Sequence, residues 1–132
     1  MNKPIQQLID EIKKNLSLKN YDEALNSLNL IIEKDKKNLS VLSTIGDIHV
    51  IKGNLTKAIK IFDKIIEINP KLAIIYNNKG FCFLRMKNYN ESILNFQKAI
   101  HNKKDYHEAY NNLGIALMKV GSNLEAKNNF LN

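Results

Sequence analysis

Apolar residues recur along this chain three and four positions apart, in stretches of roughly fourteen residues, which is the period of an amphipathic helix. In one such stretch Ile59, Phe62, Ile65 and Ile66 fall on a single face. Short polar breaks separate the stretches: Lys19-Asn20, Gly53-Asn54, Lys87-Asn88 and Gly121-Ser122. Gly ends a helix readily in the left-handed conformation, and Asn tolerates it better than most residues. The pattern predicts helices in pairs. The first members span 5–18, 39–52, 73–86 and 107–120; the second members span 21–34, 55–68, 89–102 and 123–131. Asn20-x-x-Glu23, Asn88-x-x-Glu91 and Ser122-x-x-Glu125 read as capping boxes for the second members. Lys57 stands where the second pair would need Glu. Pro70 falls just past a helix end, and Pro4 suits a first helical turn.

The pairs repeat. Gly46, Gly80 and Gly114 are 34 residues apart, as are Leu42, Tyr76 and Tyr110. Ala24, Ala58, Ser92 and Ala126 keep the same step, and so do Leu28, Phe62, Phe96 and Phe130. The repeat windows are therefore 5–38, 39–72, 73–106 and 107–132, the last cut within its second helix. Gly in mid-helix costs about 1 kcal/mol relative to Ala. Gly46, Gly80 and Gly114 are tolerable where the second helix approaches the first closely. Ala24, Ala58 and Ala126 are then expected as the small partners across that contact, with Phe62, Phe96 and Phe130 reaching into the next repeat.

These residues resemble the tetratricopeptide repeat, a helix-turn-helix unit of the same period. The third window carries the signature as Tyr76, Lys79-Gly80, Phe83, Ser92, Phe96 and Ala99. The fourth has Tyr110, Leu113-Gly114, Leu117, Ala126 and Phe130; the second has Leu42, Ile45-Gly46, His49, Ala58, Phe62, Ile65 and Pro70. The first departs most, with Ile12 in the glycine place and Asn15 in the aromatic place. The resemblance implies an all-α, right-handed α-solenoid of eight helices. It makes residues 1–132 a single repeat domain of three full repeats and a truncated fourth. It implies further that the first helices line a concave face. The places turned toward that face are Ile9, Ser43, Asn77 and Asn111; Asp10, Thr44, Asn78 and Asn112; Lys13, Asp47, Phe81 and Ile115; and Ser17, Ile51, Arg85 and Lys119.

Composition narrows the function. The net charge is +7, and the third window holds +4 of it, almost all from Lys. Specific nucleic-acid contacts favour Arg, and Arg85 is the only one, so nucleic acid is not the expected ligand. Cys82 is the only cysteine, which excludes an intramolecular disulfide. Acidic residues interrupt the N-terminus early, and no stretch approaches a membrane span; the expected location is cytoplasmic. No glycine loop has phosphate-binding spacing. His49 occupies an aromatic place and is expected in or near the core. Cys82, between Phe81 and Phe83, is expected as a small buried side chain. His101, Asp105 and His107 crowd one connection without the spacing of a usual metal site. Lys98, Lys103 and Lys104 form the densest positive patch and are expected as a solvated surface. No cofactor, metal or catalytic residue is expected.

A non-catalytic module that binds a peptide or partner protein is the function this reading supports. Asn78 and Asn112 resemble the asparagine ladder of O-linked N-acetylglucosamine transferase, in which carboxamides hold peptide backbone. Phe81, Arg85, Asn77, Asn111, Asp47 and Lys119 are expected to tune specificity. The carboxylate clamp of chaperone-binding repeats is not reproduced: in the nearer register its places hold Ser43, Asp47, Asn78, Glu108 and Asn112, and two acids would repel a terminal carboxylate. The alternative is the repeat region of a larger, glycosyltransferase-like enzyme. The C-terminal Phe130 and Leu131 have no following helix to cover them, so self-association or continuation of the array is expected there.

Overall fold

The computed structural model describes the backbone of residues 3–131 and the side chains of residues 3–125. Seven helices form among the described residues: α1 Ile5–Ser17, α2 Tyr21–Lys34, α3 Leu39–Ile51, α4 Leu55–Ile68, α5 Ala73–Arg85, α6 Tyr89–Asn102 and α7 His107–Leu131. They divide into two compact units, residues 1–68 and 69–132. The first six helices match the predicted spans to within one residue. The eighth helix is absent. The predicted spans 107–120 and 123–131 are one continuous helix, and neither a turn at Gly121-Ser122 nor a cap at Ser122 interrupts it. Gly121 permits a turn but does not force one, and a straight helix keeps the backbone hydrogen bonds that a turn gives up.

The three turns that do form share one geometry. Lys19, Gly53 and Lys87 each take a left-handed conformation, with φ of 60°, 79° and 62°. After each, the next amide bonds back five residues: Asn20 N–H to the Asn15 carbonyl at 2.8 Å, Asn54 to His49 at 2.8 Å, and Asn88 to Phe83 at 2.9 Å. The left-handed residue's own amide bonds to the carbonyl three residues back. This is the Schellman motif, which satisfies the last carbonyls of the first helix. The capping boxes are weaker than the sequence implied. The Asn88 side chain accepts from the Glu91 amide at 3.5 Å, and Asn20 makes no side-chain cap. Asn38, unremarked in the sequence, caps α3 by accepting from the Val41 amide at 3.1 Å. Pro4 is the N-cap of α1 rather than its first residue.

In the first unit, Leu8, Ile12, Ala24, Leu28, Ile31, Ile45 and Ile48 form one buried cluster. The Lys52 ammonium pairs with the Asp22 carboxylate on its edge. Ala24, Ala58 and Ser92 are fully buried, as their small size suggested. What meets the glycines, however, is the aromatic ring of the same repeat. A Cβ on Gly46 would stand 2.5 Å from the Phe62 ring, and one on Gly80 would stand 2.7 Å from the Phe96 ring. The glycines are thus notches whose nearest neighbour is a phenyl ring of the same repeat. Ile12 and Leu28, at the corresponding places of the first repeat, share one core cluster. A larger first-helix side chain there accompanies a smaller second-helix one. Gly114 differs from its counterparts: a Cβ there would meet nothing within 4 Å. Its expected partners Ala126 and Phe130 lie outside the residues whose side chains are described.

Pro70 follows the end of α4, as predicted. Its carbonyl accepts a hydrogen bond of 2.7 Å from the Tyr76 hydroxyl, which fixes the entry to α5.

Candidate functional site

In the second unit α5 and α7 lie against each other, and their contact brings the repeated positions into register. Helical spacing puts Ile74, Asn78, Phe81 and Arg85 in one column along α5. Residues 34 later, Glu108, Asn112, Ile115 and Lys119, make the matching column on α7. The two columns pair an acid with an aliphatic residue, two carboxamides, two apolar side chains and two cations. Phe81 is 38% exposed and Ile115 45% exposed, although both are large and apolar. The Arg85 guanidinium lies over the Phe81 ring, 5.9 Å from its centroid. Lys119 and Asn111 are exposed, while Asn78 and Asn112 are half-buried.

Asn77 has a different place. It is 2% exposed, and its carboxamide ties the two helices together. It donates to a Glu108 carboxylate oxygen at 3.3 Å and accepts from Asn112 Nδ2 at 3.1 Å. Tyr106 joins this polar cluster. Burial and then the Glu108 charge push its phenol above its ordinary pKa, against a hydrogen bond from Asn77 that acts to lower it. The sequence pattern brings Glu108 forward only as a breach of the carboxylate clamp, and Tyr106 not at all; the register of Glu108 one turn before Asn112 is the signal for a role beside it.

Asp47 sits in the first unit, on α3, at the register of Phe81 and Ile115. Its side chain is exposed by surface area, yet partial burial still raises its pKa above the usual carboxylate value. His49 is half-buried, as expected of its place. Its Nδ1 is buried without a hydrogen-bond partner among the described residues. Burial, and then the Lys57 and Lys52 charges, lower its pKa. Cys82 is fully buried on α5. Two of the patch lysines lie over aromatic rings rather than standing free in a loop. Lys98 is 6.0 Å from the Tyr76 centroid, and Lys103 is 5.1 Å from that of Tyr106. Among the described residues no three His, Cys, Asp or Glu side chains gather closely enough to hold a metal ion. None of the helices is long and apolar enough to cross a membrane, again among the described residues.

Two stretches of the chain, residues 39–72 and 61–93, match family models described as tetratricopeptide repeat. Together with the repeated helix–Schellman turn–helix unit, these matches support a tetratricopeptide repeat assignment for residues 39–93. Among curated proteins it is similar to the BBSome complex member BBS4 of Bos taurus, with 28% identity over 75 residues. That alignment takes in 57% of this chain but only 14% of the relative, so the chain spans a small part of that protein's length. Its fold is similar to that of MamA, with a TM-score of 0.80 at 21% identity, over 89% of this chain and 64% of the other. It is similar also to the first repeat domain of Spaghetti (RPAP3), solved bound to the HSP90 peptide SRMEEVD. There the TM-score is 0.81 at 14% identity, over 89% of this chain and 93% of that one. At these identities the structural likeness is one of fold.

Proposed function

We propose that this chain is a non-catalytic interaction module that binds an extended segment of a partner protein along the paired columns of α5 and α7. One observation carries the reading. Two apolar side chains, Phe81 and Ile115, stand exposed at matching places of α5 and α7, each with a carboxamide before it and a cation after it in its column. Exposed apolar groups rimmed by polar ones are the usual anatomy of a protein-binding surface. The segment's backbone runs past Asn78 and Asn112. Asn112 spends a donor on Asn77, and its carbonyl oxygen can still accept a peptide N–H. An apolar ligand side chain rests on Phe81 and Ile115. An acidic residue following it meets Arg85 and Lys119, and Glu108 at the other end favours a basic residue. Asn111 lies at the edge of this surface. Asp47 carries the same register on the other unit. Asn77 supports the site from beneath and does not face the ligand.

The test is selection from a peptide library displayed on phage, with the wild-type chain and a Phe81→Ser, Ile115→Ser variant as baits. Both positions are exposed, so the variant is expected to keep wild-type helicity. Wild type should enrich peptides with an apolar residue followed by acids, and the variant should lose that enrichment. Equal enrichment by both baits would remove the ligand from this surface. Asn112→Ala is the poorer probe, because it would leave the buried Asn77 oxygen unpaired and confound binding with stability.

A further inference from the structure

We propose that buried Asn77 sets what one end of this surface selects. It passes the polarity of Glu108 on to Asn112, so that both of those side chains offer only acceptors to a ligand, and together they take a basic side chain of the bound segment. This deepens the interaction-module reading above and rests on it.

One group in the cluster has no choice of polarity. An ionised carboxylate only accepts, whereas a carboxamide can present either end. Asn77 meets Glu108 at 3.3 Å and Asn112 at 3.1 Å. Because Glu108 accepts, Asn77 gives it Nδ2, and the Asn77 oxygen is then the atom turned toward Asn112. Asn112 answers with its own Nδ2, which leaves Asn112 Oδ1 for a ligand. A reversed Asn77 would set its oxygen against the carboxylate and its amide protons against those of Asn112. At a side chain only 2% exposed, water does not relieve two such contacts. Tyr106 takes a further hydrogen bond from Asn77, which adds a second use for Nδ2 in the same orientation.

The charge of Glu108 is left for a ligand. Among the described residues it forms no ion pair, although the chain holds 20 Lys and Arg. Glu108 and Asn112 lie one turn apart on α7, the spacing at which two side chains of a helix meet. A lysine ammonium, with three donors, or an arginine guanidinium, with five, can bond both acceptors at once. The second lone pair of Asn112 Oδ1 still holds a peptide N–H. A ligand carboxylate would meet a carboxylate and a carbonyl oxygen instead. One repeat earlier the Glu108 place holds Ile74, so Asn78 has no acid in its column. From Glu108 to Ile115 the helix rises about 10 Å, which about three residues of extended chain span. The basic residue is therefore expected about three positions before the apolar anchor.

N-acetylated peptides test this. The sequence enriched by the wild-type chain from the displayed library is synthesised with lysine, glutamine or glutamate at that position, and binding is measured by fluorescence anisotropy. Circular dichroism confirms that each protein variant keeps its helicity. Wild type should bind the lysine peptide about fivefold or more tighter than the glutamine peptide. Glu108→Gln, at an exposed position, should bind the two equally. Glu108→Lys turns the relay round, since Asn77 then gives its oxygen to the ammonium and Asn112 faces outward with Nδ2; it should prefer the glutamate peptide. Asn77→Leu keeps the Glu108 charge but frees Asn112 to turn, and its lysine preference should fall toward that of Glu108→Gln. A lysine preference unchanged in Asn77→Leu would assign selection to the Glu108 charge alone and overturn the proposal. So would an apolar-anchor preference in wild type without any basic preference. Absence of the apolar anchor itself would overturn the interaction reading, and this inference with it.

Discussion

At the scale of single residues, the conserved step of 34 hides a trade of volume across the helix pair. Gly80 is small because the Phe96 ring fills its place, and Ile12 is large beside the smaller Leu28. Gly80→Ile is therefore expected to overpack the second unit and cost about 1–3 kcal/mol. Adding Phe96→Leu should return part of that loss, because the double variant reproduces the pairing of the first repeat. A chemical-denaturation double-mutant cycle measures the coupling. Additive losses would mean that the two positions do not share one space. At Gly114 the same step meets no ring among the described residues, its counterpart Phe130 lying outside them.

At the scale of elements, the turns are set by hydrogen bonding more than by residue type. Lysine occupies the left-handed position in two of three turns because the bonded amides and the packed helices on either side outweigh its strain. Relieving that strain should stabilise the chain. Lys87→Gly is expected to raise stability by roughly 0.5–1 kcal/mol, the left-handed penalty less the added freedom of the unfolded chain. Thermal unfolding monitored by circular dichroism checks this, and an unchanged or lowered midpoint would count against it. The α7 helix shows the converse: where nothing packs on the far side, even a glycine in the right register leaves the helix straight.

At the scale of the whole molecule, His49 makes stability depend on pH. Its folded pKa lies below the ordinary histidine value, chiefly through burial, so the unfolded chain binds the proton more tightly. Stability from this group is complete above the unfolded pKa of 6.5 and is lost as pH falls through and below it. The wild-type melting temperature should fall between pH 7.5 and 5.5, and fall less in His49→Gln. Parallel slopes would assign the loss elsewhere. Asp47, with its raised pKa, acts in a separate window near the ordinary carboxylate value of 3.8 and in the opposite sense, since the folded state holds its proton.

The sequence alone determined the first six helices, their boundaries and the 34-residue unit, because these follow from local periodicity and from turn positions that recur at a fixed step. The repeat resemblance also put Asn112, Phe81, Ile115, Arg85 and Lys119 among the places expected to face a ligand. Only the tertiary structure decided which of the asparagines is spent inside. Asn77 and Asn78 are neighbours of the same type, and the approach of α7 gives buried Asn77 an acceptor in Glu108 and a donor in Asn112. Tertiary packing likewise decided that the phenylalanine ring nearest each of Gly46 and Gly80 is that of its own repeat. It also decided that α7 runs through Gly121. A turn signal states what the backbone can do cheaply; whether it does so depends on how much surface the returning segment buries.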